Sequence, residues 1–112
     1  MTPFEFGDII LVPFPFTDQS QTKKRPAAVI SSKAYNTDRP DLIIMAVTSQ
    51  IKRTSVVGEM VVQEWQAAGL LKPSAVKPVI ATIEKSLVIT ALGQLKDADL
   101  ATLRSCLERI LG

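Results

Sequence analysis

Apolar residues in this chain come in short, dense runs separated by polar or turn-forming clusters, and only the C-terminal stretch follows a helical rhythm. The first run, "IILVPFPF" after Gly7 and Asp8, has the β-branched start and apolar density of a strand. Pro13 and Pro15 confine its far end to a sheet edge or bulge, because neither can donate to a ladder. "PAAVISS" (26–32) predicts a second strand, and the turn-rich "KAYNTDRPD" a connection. "LIIMAVTS" (42–49) is nearly continuous in apolar residues, which predicts a central strand buried on both faces. "TSVVGEMVV" (54–62) predicts a fourth strand, with Gly58 at a bulge or close approach.

"QEWQAAGLL" changes character. Residues 63–68 suffice for about a turn and a half of helix, stopped by Gly69. "SAVKPVIATI" (74–83) returns to strand composition, with Pro78 marking an edge, and "LVITALGQL" (87–95) is a further short strand running into a turn at Gly93. Asp97 then reads as the N-cap of an amphipathic helix, with Leu100, Leu103, Leu107, Ile110 and Leu111 on one stripe. Five or six short strands, one small helix and a C-terminal helix predict a mainly β fold, a small barrel or sandwich. Too few long helices separate the strands for a doubly wound parallel sheet.

Composition narrows the chemistry. A length of 112 residues predicts one domain, 1–112, and 46% hydrophobic with 21% charged residues is the composition of a folded globular chain. No apolar run is long enough to span a bilayer, so no membrane partner is expected. The opening "MTPFEFGD" carries acids where a secretory signal carries bases. The single cysteine, Cys106, allows no internal disulfide, and a reducing cytoplasm is the natural compartment. There is no histidine, which removes Ser-His-Asp and Cys-His catalysis and the commonest zinc ligand. Any chemistry rests on Arg, Lys, Thr, Ser, Asp or Glu, and no metal site is expected.

Charge is unevenly spread. Residues 19–58 hold seven bases (Lys23, Lys24, Arg25, Lys33, Arg39, Lys52 and Arg53) against Asp38 and Asp41, a balance of +5 in a chain whose net charge is +2. That is either a solvated loop region or the footprint of an acidic partner. Within it, "FTDQSQTKKRPAAVIS" places eight polar residues, 17–24, ahead of Arg25 and Pro26. The turn is a plain hairpin loop, or it presents Arg25 to an anion.

The order "GDIILVPFPFTDQSQTKKRPAAVIS", "IIMAVTSQ", "GLLKPSAV" and "IATIEKSLV…LGQL" resembles the PemK/MazF family of bacterial type II toxin–antitoxin toxins, from Gly7 to about Leu95. The resemblance implies an SH3-like barrel of about five to seven strands that forms a homodimer. It implies a sequence-specific, metal-independent endoribonuclease without cofactor, cutting single-stranded RNA to 2′,3′-cyclic phosphate and 5′-hydroxyl ends. It further implies an acidic antitoxin that covers the RNA groove, and DNA binding together with it. The family's key arginine, followed by proline, maps onto Arg25, and its key threonine onto Thr48. The loop 17–24 belongs to the substrate-binding edge, with Thr17, Ser20, Lys23 and Lys24 as candidate RNA contacts. This loop has no glycine, where family loops often carry one beside serine. A stiffer loop bears on the RNA accepted and leaves Arg25 and Thr48 untouched.

The residues suit that reaction. Cyclising cleavage deprotonates a 2′-hydroxyl, stabilises a pentacoordinate phosphate and releases a 5′-oxygen. The guanidinium of Arg25 is always charged, planar and forked, so it can hold two phosphate oxygens. Pro26 restricts its backbone to the extended region. The Thr48 hydroxyl can donate to phosphate or relay a proton. Ser49 and Gln50 adjoin Thr48 and are candidate RNA contacts, and Lys52 and Arg53, like the two lysines, are candidate phosphate contacts. Phe14, Phe16 and Trp65 read as packing residues rather than stacking platforms. The competing reading is a non-cleaving protein of the same fold that binds a protein target, as gyrase poisons do, or binds DNA with its antitoxin.

Overall fold

In chain order the computed structural model carries β1 (Asp8–Phe14), β2 (Lys23–Val29), α1 (Lys33–Asp38), β3 (Asp41–Thr48), β4 (Met60–Val61), β5 (Ala75–Glu84), a 3₁₀ turn (Lys85–Leu87), β6 (Thr90–Gln94) and α2 (Asp97–Leu111). It describes residues 4–14, 23–51 and 56–112. All strand pairs are antiparallel, in the order β4-β5-β3-β2-β1-β6. This is the mainly β architecture expected, a curled six-stranded sheet with a short helix and a C-terminal helix.

The sheet is apolar on both faces. Alternation along β1, β2 and β3 sends Ile9, Ala28, Met45 and Val47 to one face, where Val62, Leu70, Val76, Leu95 and Leu103 join them. Ile10, Val12, Ala27, Val29, Leu42, Ile44 and Ala46 form a second cluster on the other. That double burial explains the unbroken apolar run of β3.

The prolines sit where their missing donors cost least. β6 pairs with β1 only over residues 8–11, so Pro13 lies beyond its reach. Around Pro78 the β3–β5 register jumps from Met45↔Ile80 to Val47↔Val76, two steps on β3 against four on β5, which is a bulge. β4 pairs only with Ala75 and Val76, so the rest of β5 has β3 as its sole described neighbour.

Three expectations need correction. The short helix is α1, at 33–38, not at 63–68. Ser32 caps it, its Oγ accepting the Tyr35 amide at 3.2 Å, and buried Asn36 pins it by donating to the carbonyls of Phe4 (2.9 Å) and Ser31 (3.0 Å). Residues 63–69 instead form successive turns whose bonds span four, three and five residues: Ala68 to Glu64, Gly69 to Gln66, and Leu70 to Trp65. Second, of the strand expected over 54–62, residues 54 and 55 lie outside the described residues, and the described part is paired only at Met60–Val61; a turn closed by the Glu59 amide on the Val56 carbonyl precedes it, with Gly58 at φ 96°. Third, Lys96 rather than Asp97 is the N-cap of α2, and Leu111 leaves the apolar stripe, 75% exposed, while Leu103 and Cys106 are buried.

Asp99 replaces the expected cap with a tertiary one. It is 1% exposed, and its carboxylate accepts the amides of Gln63 and Glu64, each at 3.0 Å. The first turn of α2 thereby holds the start of the 63–69 segment. The end of that segment lies against β6, backbone to backbone. A Cβ on Gly69, at φ 91°, would stand 2.1 Å from the Leu92 carbonyl oxygen, and one on Gly93 would stand 2.4 Å from that of Ala68. Two glycines are required for this closure, the first for both its conformation and its contact.

Candidate active site

Arg25 lies in β2 opposite Val12 of β1. β2 and β3 pair in the register Ala27↔Ala46, Ala28↔Met45 and Val29↔Ile44. Continued by two residues, that register sets Arg25 opposite Thr48, the last residue of β3. Both are half-buried, and the Nε of Arg25 is buried. The Thr48 Oγ1 accepts the Gln50 amide at 3.1 Å, which fixes the hydroxyl and leaves its proton to be donated.

Arg25 and Thr48 line one cavity of about 370 Å³. Its wall wraps the ends of β2 and β3, taking Lys24, Pro26, Val47 and Ser49 as well, with Leu11 and Leu92 from β1 and β6. The segment after Gly69 supplies Leu70, Leu71, Lys72 and Ser74. Three cations therefore share this wall, and its described lining includes no carboxylate, thiol or imidazole. The positive charge gathered on this wall favours an anion over a cation there.

The structure thus brings together Arg25, Thr48, Lys24 and Ser49. Gln50 is exposed beside them and contributes its amide to Thr48 rather than a lining side chain. Lys23 begins β2. Thr17, Ser20, Lys52 and Arg53 lie outside the described residues. Two members of the basic stretch belong elsewhere: Lys33 stands 4.0 Å from Glu5, and Arg39 pairs with Asp41 at 3.0 Å beside the Tyr35 ring. Burial pushes the Asp41 carboxyl up, but hydrogen bonds from Arg39 and Tyr35 outweigh it and hold the group below the usual range.

Sequence reasoning passed over Lys72 and Ser74. A signal was present. The chain has four prolines preceded by a base, and the bases of two of these pairs, Arg25 before Pro26 and Lys72 before Pro73, line this cavity.

The sequence model of the PemK-like, MazF-like toxins of type II toxin–antitoxin systems matches residues 5–111, and the chain belongs to that family, whose members are endoribonucleases. No curated relative matches at a significant level. Solved structures agree on the fold. An endoribonuclease from a mycobacterial species, in complex with its cognate antitoxin, superposes with a TM-score of 0.78 at 16% identity, over 97% of this chain and 95% of that one. MazF from Deinococcus radiodurans gives 0.73 at 23% identity, covering 100% and 98%. A MazE–MazF structure from the same organism gives 0.73 at 20%, covering 98% and 96%. Among the described residues no helix is long and apolar enough to cross a membrane.

Proposed function

We propose that this toxin cuts single-stranded RNA at specific sequences, without a metal, by transesterification. The observation that carries the proposal is the register of β2 and β3. It aligns Arg25 with Thr48 on one cavity whose described wall holds three cations and no acid. The scissile phosphate sits between them. The 2′-oxygen loses its proton and bonds to phosphorus, the bond to the 5′-oxygen breaks, and that oxygen takes up a proton. The products are a 2′,3′-cyclic phosphate and a 5′-hydroxyl. Arg25 holds the charge that builds on the phosphoryl oxygens, and the Thr48 hydroxyl donates to one of them. Lys24 and Ser49 hold the strand on either side, with Thr17, Ser20, Lys23, Gln50, Lys52 and Arg53 as further contacts.

The same reading gives the protein two protein partners in the cytoplasm. An acidic antitoxin matches a cavity whose described charged lining is wholly basic, and related folds have been solved with antitoxin bound. A second copy of the chain matches the apolar side chains left in water: Val79, Ile80, Leu87 and Ile89 are each 39–47% exposed.

The test is incubation of purified protein with a long single-stranded RNA in excess chelator, with fragment ends identified by mass. Discrete fragments ending in cyclic phosphate, absent with Arg25→Ala, are the expected result. Intact RNA from folded wild type across several sequences would shift the assignment to a non-cleaving binder of a protein or of DNA.

A further inference from the structure

We propose that Lys72 is an RNA-binding residue that holds a backbone phosphate next to the scissile one, an inference that rests on the ribonuclease reading above. Lys72 reaches the cavity from outside the strand ends that carry Arg25 and Thr48. Its side chain is exposed, but its backbone is fixed on both sides. Leu70, 6% exposed, is anchored in the core and donates its amide to the Trp65 carbonyl at 3.0 Å. Ser74, 4% exposed, donates its hydroxyl to the Lys72 carbonyl at 2.8 Å, and its own carbonyl accepts the Val62 amide at 2.9 Å. Pro73 restricts the Lys72 backbone to the extended region.

A lysine on a free loop loses much of its Coulombic gain to the cost of ordering the loop. Here the loop is ordered in advance, and only the side chain remains to be placed. Arg25 matches the fork of one phosphate group, whereas an ammonium is a compact point charge with no geometric demand. That suits it to the neighbouring phosphate, whose position varies with ribose pucker. Lys72 therefore contributes to strand binding and leaves the chemical step to the Arg25–Thr48 pair.

The experiment measures binding of a 2′-O-methylated, uncleavable RNA across a salt series, and single-turnover cleavage of the unmodified strand. It uses wild type, Lys72→Ala, Lys72→Arg and, as an off-site control, Lys96→Ala. Lys72→Ala should bind about tenfold more weakly near ~0.1 M salt, with the slope of log K against log salt reduced by about 0.7, the share of one phosphate on a single strand. Its cleavage rate at saturating RNA should stay close to wild type. Lys72→Arg should restore both affinity and slope, and Lys96→Ala should change neither. Wild type that cuts RNA while Lys72→Ala keeps its affinity and slope overturns this inference alone, as does a failure of Lys72→Arg to rescue. Wild type that neither binds nor cuts RNA removes the ribonuclease reading, and this one with it.

Discussion

Asp99→Ala should be among the costliest single substitutions in the molecule that touch no apolar packing. The carboxylate is 1% exposed and accepts two amides, Gln63 and Glu64, each at 3.0 Å. Removing it leaves both donors without the partner that orders the 63–69 segment. Hydrogen bonds to a charged group contribute about 1.5–3 kcal/mol each. The two amides are only partly buried, so water recovers some of that, and a combined loss of about 2–4 kcal/mol is expected. Asp99→Asn keeps one acceptor but turns an NH₂ toward the other amide, and about half that loss is expected. Against a domain stability of about 5–15 kcal/mol, the alanine variant should remain folded with a visibly lower midpoint. The assay is urea unfolding at fixed protein concentration, with m unchanged so that midpoints compare directly. Amide exchange at Gln63 and Glu64 should also rise in the variant. A midpoint shift worth less than about 0.5 kcal/mol, the range of neutral surface changes, would refute the reasoning and show that solvent replaces the carboxylate freely.

Gly93→Ala should cost about 1–3 kcal/mol in the same assay, because its Cβ would stand 2.4 Å from the main-chain oxygen of Ala68. Asn36→Ala should cost about 2–4 kcal/mol, since it strips partners from the Phe4 and Ser31 carbonyls and from the Ser31 hydroxyl at once. Thr48→Val should reduce RNA cleavage about 10²-fold while Thr48→Ser retains most of it, as measured by single-turnover rates at saturating RNA. Burial pushes the Cys106 thiol up, with Arg109 offsetting part of the rise. The folded protein therefore holds that proton more tightly than the unfolded chain. This contributes stability that is full below the unfolded thiol pKa and lost as pH rises through the folded one. Reaction with a thiol-specific disulfide reagent should follow a pH profile displaced upward from that of the urea-unfolded protein; coincident profiles would contradict it.

Elements whose information is local were legible in the sequence, and those decided by tertiary contact were not. β3 announced itself because burial on both faces leaves an unmistakable apolar run, and Pro13 marked a strand end beyond the reach of β6; Pro78 was read as an edge, and the bulge beside it shows only in the register. The helix at 33–38 was missed because turn-forming residues dominate it, and what holds it is Asn36 reaching back to Phe4, a contact invisible to periodicity. Residues 63–68 have fair helix formers, yet the run is too short to propagate: its bonds span four, three and then five residues, and Gly69, at φ 91°, ends it at once. At the site, Arg25 and Thr48 were nominated by resemblance, and their alignment follows from strand register. Lys72 went unnominated because its base–proline signal recurs at Arg39–Pro40 and Lys77–Pro78, away from the cavity, so the pair alone does not single it out. Only the closure of the 63–74 segment onto β6 brings it to the cavity.

That closure also constrains which changes the chain can accept. At most packed positions a disruptive side chain can be accommodated by trimming its neighbour, so tolerated substitutions come in matched pairs. Gly69 and Gly93 have no such remedy. Each faces main-chain atoms of the other's segment, and carbonyl oxygens cannot be trimmed by mutation. In a library that randomises both codons together and is ranked by stability, glycine should therefore be enriched at each site independently, with no compensated double exchange among the most stable members.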